Sequence, residues 1–162
     1  MVKQYYEAFD MSDFNTMRTL LNDSISITSG DYVTTYSHTS FYEFFKWDSV
    51  LRTRKKLLNV ESSDNDILAT VSYSSMRYEF LKNNHLTCQY KINFKEDKIS
   101  SFEELDCPNA DWQVWEKQVN SLVEWTKTHH PELDGFIYDL TMQGALNYLK
   151  AMELYKNREI DL

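Results

Sequence analysis

Apolar positions recur along this chain with two different periods, and each change of period marks a change of element. Val2, Tyr5, Tyr6 and Phe9 share one face of a 3.6-residue repeat, which predicts a helix over residues 2–10. Ser12 is a candidate cap for a second short helix carrying Phe14, Met17, Leu20 and Leu21. The period then drops to two: Ser24-Ile25-Ser26-Ile27-Thr28 alternates, Ser29-Gly30-Asp31 can turn, and residues 32–36 read as a returning strand. After Ser37, a second candidate cap, Phe41, Phe44, Phe45 and Leu51 restore helical spacing, with Trp47 at the edge of their apolar face.

Residues 57–62, 67–81, 85–94 and 98–105 read as a meander of strands. Their short polar connections, Ser63-Asp64-Asn65-Asp66, Lys82-Asn83-Asn84 and Lys95-Glu96-Asp97, suit antiparallel hairpins. Leu86, Cys88, Tyr90, Ile92 and Phe94 alternate with polar residues, as in a strand buried on one face. In the preceding strand the apolar phase slips, from Ile67, Ala69, Val71 and Tyr73 to Met76, Tyr78 and Phe80, which predicts a β-bulge at Ser74-Ser75 and a sharp bend. Past Pro108 the period is helical again, with Trp112, Trp115, Val119 and Leu122 on one stripe. Tyr138, Met142, Ala145, Leu149 and Met152 form another, beyond His129-His130-Pro131. Further apolar residues spill around both stripes, more than one docking face requires.

Composition narrows the class. With 162 residues, 42% of them hydrophobic and 15% aromatic, the chain can bury a core. A formal net charge of −8 disfavours nucleic acid as a partner, since phosphate binding rests on Lys and Arg; the run Arg52-Thr53-Arg54-Lys55-Lys56 reads as a solvated connection. No apolar stretch is long enough to span a membrane, and the first residues lack a secretory pattern, so a reducing cytoplasmic location is expected. Cys88 and Cys107 show no CxxC spacing and are expected to be buried or idle thiols. His38, His85, His129 and His130 are dispersed, and three scattered glycines build no phosphate loop, so neither a metal nor a cofactor is expected.

Several segments together resemble the nuclear transport factor 2, SnoaL-like and ketosteroid isomerase superfamily, over Met1 to about Leu105. They are Tyr5-Tyr6-Glu7-Ala8-Phe9, Ser12-Asp13, Leu20-Leu21-Asn22-Asp23 running into Ser24-Ile25-Ser26-Ile27, and Phe41-Tyr42-Glu43-Phe44-Phe45. The resemblance implies an α+β fold: a cone-shaped, curved antiparallel sheet wrapped on N-terminal helices over residues 1–107. Residues 108–162 form a helical extension packed on the same domain, similar to one in uncharacterised bacterial members.

In ketosteroid isomerases a carboxylate late in the first strand moves a proton at carbon, while a helical Tyr and a strand Asp hold the oxyanion. The resemblance places Tyr5 on the oxyanion Tyr, Ser29 on the base and Tyr90 on the second donor. An unactivated serine cannot act as that base; Asp31 is the displaced candidate, with Glu61 and Glu79 as other carboxylates to locate. The leading expectation is therefore a homodimeric small-molecule-binding module. Its pocket, formed by Tyr5, Phe9, Phe44, Trp47, Tyr73, Cys88 and Tyr90, would hold an apolar or aromatic molecule with one hydroxyl or carbonyl. The alternatives are a cofactor-independent isomerase, cyclase or dehydratase using Tyr5, Asp31 or Tyr90, and a structural interaction protein acting through its C-terminal helices.

Overall fold

The computed structural model describes residues 1–159, which form an α+β structure grouped into two compact units. One comprises residues 1–42, 54–74 and 85–110; the other draws residues 43–53 and 75–84 together with those from 111 onward. The helical unit thus takes in two internal segments besides the helices that follow residue 107.

In the first unit, α1 (Val2–Asp10) and α2 (Phe14–Leu20) precede a curved sheet of β1 (Leu21–Ser29), β2 (Tyr32–Tyr36), β3 (Arg54–Ser63), β4 (Asp66–Ser74), β5 (Leu86–Lys95) and β6 (Lys98–Asp106). The strand order is β2-β1-β6-β5-β4-β3. Helix α1 forms where the pattern predicts it and buries Val2, Tyr5, Tyr6, Ala8 and Phe9. The cap of α2 is Asp13 rather than Ser12: its carboxylate accepts from the Thr16 backbone N–H at 3.1 Å and from the Thr16 hydroxyl, while Ser12 takes φ 56° at the link. Leu21 does not end the helix but opens β1, fully buried.

The sheet is mixed rather than wholly antiparallel, because β1 lies parallel to β6 while every other ladder is antiparallel. A parallel pair needs a long crossover, and everything between β2 and β6 supplies it. The expected bulge at Ser74-Ser75 is absent. β4 ends at Ser74, Ser75 caps a short helix α4 (Met76–Phe80) by accepting from the Tyr78 N–H at 2.9 Å, and the Met76 N–H donates to the Leu51 carbonyl at 2.9 Å. The phase slip was a change of period, with Met76 and Phe80 at helical spacing. Register shifts fall elsewhere: Leu58 is the extra residue in β3, Ser100 and Leu105 are the extra residues in β6 opposite Asn93/Phe94 and Gln89/Tyr90, and β1 shifts between Leu21 and Ser26; such insertions bend the strands.

In the second unit the end of α3 (His38–Val50), α4, α5 (Trp112–His129) and α6 (Met142–Asn157) enclose a core containing Trp47, Leu51, Phe80, Leu122, Phe136 and Tyr148. Two 3-10 turns, Pro131–Leu133 and Phe136–Tyr138, join α5 to α6. Of the apolar residues beyond the two stripes, Phe136, Ile137, Leu140 and Leu154 pack onto this same core, whereas Leu146 is exposed. Asn83 ties the segments together, donating to the Leu81 and Asp111 carbonyls and accepting from the Asp111 N–H at 2.7 Å.

Cys88 and Cys107 are not idle thiols but are joined by a disulfide. Register explains it: Gln89 pairs with Asp106 across β5 and β6, so the next residue outward on each side is a cysteine. Disulfides persist mainly in oxidising environments. No helix among the described residues is long and apolar enough to cross a membrane.

Two stability effects follow. A Cβ on Gly144 would lie 1.9 Å from the Asp139 backbone oxygen, so Gly144→Ala should cost about 1–3 kcal/mol, read as a lower midpoint in thermal unfolding. The disulfide spans a sequence separation of 19, and its reduction should cost about 3 kcal/mol through the entropy of the unfolded chain. Urea titration of the oxidised and reduced protein checks this, and far-UV circular dichroism should stay unchanged because β5 keeps ladders on both sides.

Candidate functional site

Cross-strand register defines one face of the sheet in the first unit. Val71 lies opposite Cys88, Ala69 opposite Tyr90, and Tyr90 opposite Glu104; Ile67, Ile92, Phe102 and Ile27 form the next row. Ser29 follows Ile27 by two residues and so shares its face. Ala69, Val71, Cys88, Ile92 and Phe102 are all buried, so this is the core-facing side.

A carboxylate stands at the end of this face. Glu104 accepts a hydrogen bond from the Tyr90 hydroxyl on Oε2 at 3.0 Å and one from the Ser29 hydroxyl on Oε1 at 3.3 Å. Glu104 and Tyr90 are half-buried and Ser29 is exposed, so the cluster opens to solvent at the strand ends.

Behind it the aromatic rings form a continuous wall. Tyr90 lies 5.8 Å from Tyr73, Tyr73 is hydrogen-bonded to Tyr6, Tyr6 packs edge-on to Tyr5 at 5.1 Å, and Tyr5 lies 5.0 Å from Phe102. The Lys55 ammonium sits 4.1 Å above the Phe9 ring and 5.9 Å from that of Tyr73. Burial pushes the Tyr6 phenol far above its ordinary value, and the hydrogen bond with Tyr73 offsets only part of that. Tyr6 is therefore a neutral hydroxyl throughout the physiological range.

The residues expected to form one pocket are distributed over both units. Tyr5, Phe9, Tyr73 and Cys88 are buried in the first unit, with Tyr90 half-buried at its site. Phe44 and Trp47 lie in the helical unit, 5.7 Å apart, where Trp47 also packs against the Arg77 guanidinium at 5.0 Å. Asp31 occupies the exposed β1–β2 turn, and Glu61 and Glu79 are exposed as well. None of the three lies in the cluster with Ser29 and Tyr90; the carboxylate there is Glu104, which sequence reasoning missed. The signal was present in the three-residue gap between Ile99 and Phe102, a phase slip that puts Glu104 on the face of Phe102.

Two grooves lie along α1 and β3. One, of about 440 Å³, is bounded by Tyr6, Asp10, Lys55 and Leu57; the other, of about 620 Å³, by Val2, Val60, Ile67 and Phe94. Neither is lined by Tyr5, Phe9, Tyr73, Cys88 or Tyr90. The Cys88 and Cys107 sulfurs and a Glu104 oxygen all lie within 4.8 Å of one another, an arrangement of metal-ligand type that the sequence spacing did not suggest.

No family model and no curated protein matches the sequence. Solved structures do resemble it. A Sinorhizobium meliloti protein provisionally assigned as a polyketide cyclase is 11% identical, with a TM-score of 0.54 over 64% of this chain and 92% of its own. Bal32a, from a soil-derived mobile gene cassette, is 18% identical with a TM-score of 0.54, covering 70% and 92%. A protein from Kribbella flavida provisionally assigned as a ketosteroid isomerase is 9% identical, again at 0.54, covering 68% and 76%. At these identities the likeness speaks to architecture. Six strands in one curved sheet, helices α1 and α2 leading into it, and these structural matches, with a cystatin-fold protein from Novosphingobium aromaticivorans at 10% identity and a TM-score of 0.52 over 65% of this chain and 94% of its own, give the chain a cystatin-like α+β fold.

Proposed function

We propose that the protein binds a small apolar or aromatic molecule carrying a hydroxyl or carbonyl, and that the Ser29–Tyr90–Glu104 cluster holds the polar end. The observation that carries this is the Glu104 carboxylate, which gathers two hydroxyls from two other strands at a solvent-accessible edge of an aromatic-walled face. A ligand hydroxyl can replace either donor on the carboxylate, and a ligand carbonyl can accept from the hydroxyl so released. The half-buried Tyr90 ring supplies apolar contact for the rest of the molecule.

A second reading, cofactor-independent acid–base catalysis, draws support from the same group. The positions that the family resemblance assigns to the base and to one oxyanion donor are Ser29 and Tyr90, and Glu104 bridges them. A carboxylate so placed can take a proton from carbon beside a carbonyl while the phenol donates to the developing oxyanion. Two structural neighbours carry provisional assignments as a polyketide cyclase and a ketosteroid isomerase, both of which act on carbonyl compounds.

Native mass spectrometry and thermal shift against a panel of phenols, hydroxylated naphthoquinones and steroid ketones test the binding reading. Glu104→Gln and Tyr90→Phe should each weaken a bound compound about 10-fold, the loss of one hydrogen bond to a charged group. Binding that survives both substitutions unchanged would remove the cluster from the site. For the catalytic reading, incubation of a bound ketone in D2O should exchange its α-proton with wild-type protein and not with Glu104→Gln; equal exchange by both would refute it.

A further inference from the structure

We infer that reduction of the Cys88–Cys107 bond converts the same corner of the first unit into a site for a thiophilic divalent cation, held by the two sulfurs and the Glu104 carboxylate. The inference goes beyond small-molecule binding and needs no ligand at Glu104.

Three ligand atoms of the types that zinc favours converge here, all within 4.8 Å of one another. They come from places fixed by hydrogen bonding: Cys88 on β5, Glu104 on β6, and Cys107 directly after β6. A four-coordinate zinc with sulfur at about 2.3 Å and oxygen at about 2.1 Å keeps its ligand atoms roughly 3.5–4 Å apart. The carboxylate oxygen lies within 4.8 Å of both sulfurs, so the main change required is separation of the two sulfurs once their bond is broken. Both cysteines are buried, at 1% and 6% exposure, which shields thiolates from bulk water. The Tyr90 and Ser29 hydroxyls already hydrogen-bond the carboxylate and would orient it as outer-shell partners. Three protein ligands leave a fourth position for water.

The chemistry balances in two steps. A dithiol reductant transfers two electrons and two protons to the disulfide, giving two thiols and becoming a disulfide itself. The cation then displaces one proton from each thiol, forming two metal–sulfur bonds and one metal–oxygen bond. Loading the metal withdraws Glu104 from any ligand or proton, so the redox state of the cysteines sets what this corner can bind.

The test uses the full chain, oxidised or reduced with a phosphine and desalted without oxygen, titrated with zinc against a chromophoric chelator. Cobalt(II) in a parallel titration reports the ligand type. The reduced chain should take up one equivalent of zinc and show thiolate-to-cobalt charge transfer with tetrahedral ligand-field bands; the oxidised chain should show neither. Glu104→Gln should weaken zinc at least about 10-fold, and Cys88→Ser should abolish the charge-transfer band or leave a single-thiolate spectrum. Circular dichroism verifies that each form is folded, and the wild-type comparison of oxidised with reduced chain decides the matter even where Cys88→Ser does not fold. Failure of the folded reduced chain to bind one equivalent, equal uptake by the oxidised chain, or unchanged affinity in Glu104→Gln would each overturn the inference. Small-molecule binding is measured on the oxidised chain, so either reading can fail while the other stands.

Discussion

The antiparallel pairing of β5 with β6, interrupted by its two register shifts, is the constraint on which the site depends. Without the shift at Asn93/Phe94, Ile99 and Phe102 could not both face the core, because residues three apart on a regular strand point to opposite sides. The regular register that follows sets Glu104 opposite Tyr90, and the shift at Gln89/Tyr90 then brings Asp106 opposite Gln89, beyond which the two cysteines meet. One ladder therefore positions the carboxylate, its phenol donor and the disulfide together. The parallel strand β1 completes the group by bringing Ser29 to the other oxygen of Glu104.

Where local period and tertiary role coincide, the sequence was legible. Helix α1 and the alternation of β5 as far as Ile92 appear where hydrophobic spacing places them, because their apolar side faces the core; the β1–β2 hairpin also forms, although Tyr32 and Val33 stay exposed. The reading failed where one signal has two physical causes. A phase slip is produced equally by a bulge and by the onset of a helical turn; at Ser74-Ser75 it was the latter, settled by a serine cap and by a backbone bond to Leu51 that no local pattern shows. At Ile99 to Phe102 a slip of the same kind was a real irregularity, and overlooking it hid Glu104. Cysteine spacing failed for a related reason, since a separation of 19 carries no motif and only strand register makes the pair adjacent.

Aromatic abundance also divides between two tasks. The first unit spends its rings on the wall behind Glu104, whereas in the helical unit Trp47, Tyr78 and Trp115 surround the Arg77 guanidinium at 5.0, 4.8 and 5.2 Å. Burial opposes a charge on Arg77, and the neighbouring Tyr78, Tyr148 and Asp48 more than offset it, so its guanidinium is held above the ordinary value. Burial likewise raises the Tyr148 phenol, with Arg77 opposing. Trp47 belongs to this internal cation site and Phe44 packs on Trp47, which is why their helical spacing resembled a pocket lining without indicating which unit they would serve.

The two units thus handle buried polarity by different means, and the difference bears on function. In the helical unit the Arg77 guanidinium is enclosed by aromatic rings, and Asn83 is hydrogen-bonded to Leu81 and Asp111. In the first unit Tyr6 is kept neutral by burial and stays bonded to Tyr73. Glu104 differs because its partners are hydroxyls at a half-buried, solvent-facing edge, where replacing one hydroxyl by another from a ligand carries little desolvation cost. A carboxylate held by exchangeable neutral donors lies here next to a bond that two electrons can open, so binding at this corner can be altered both by hydroxyl exchange and by reduction.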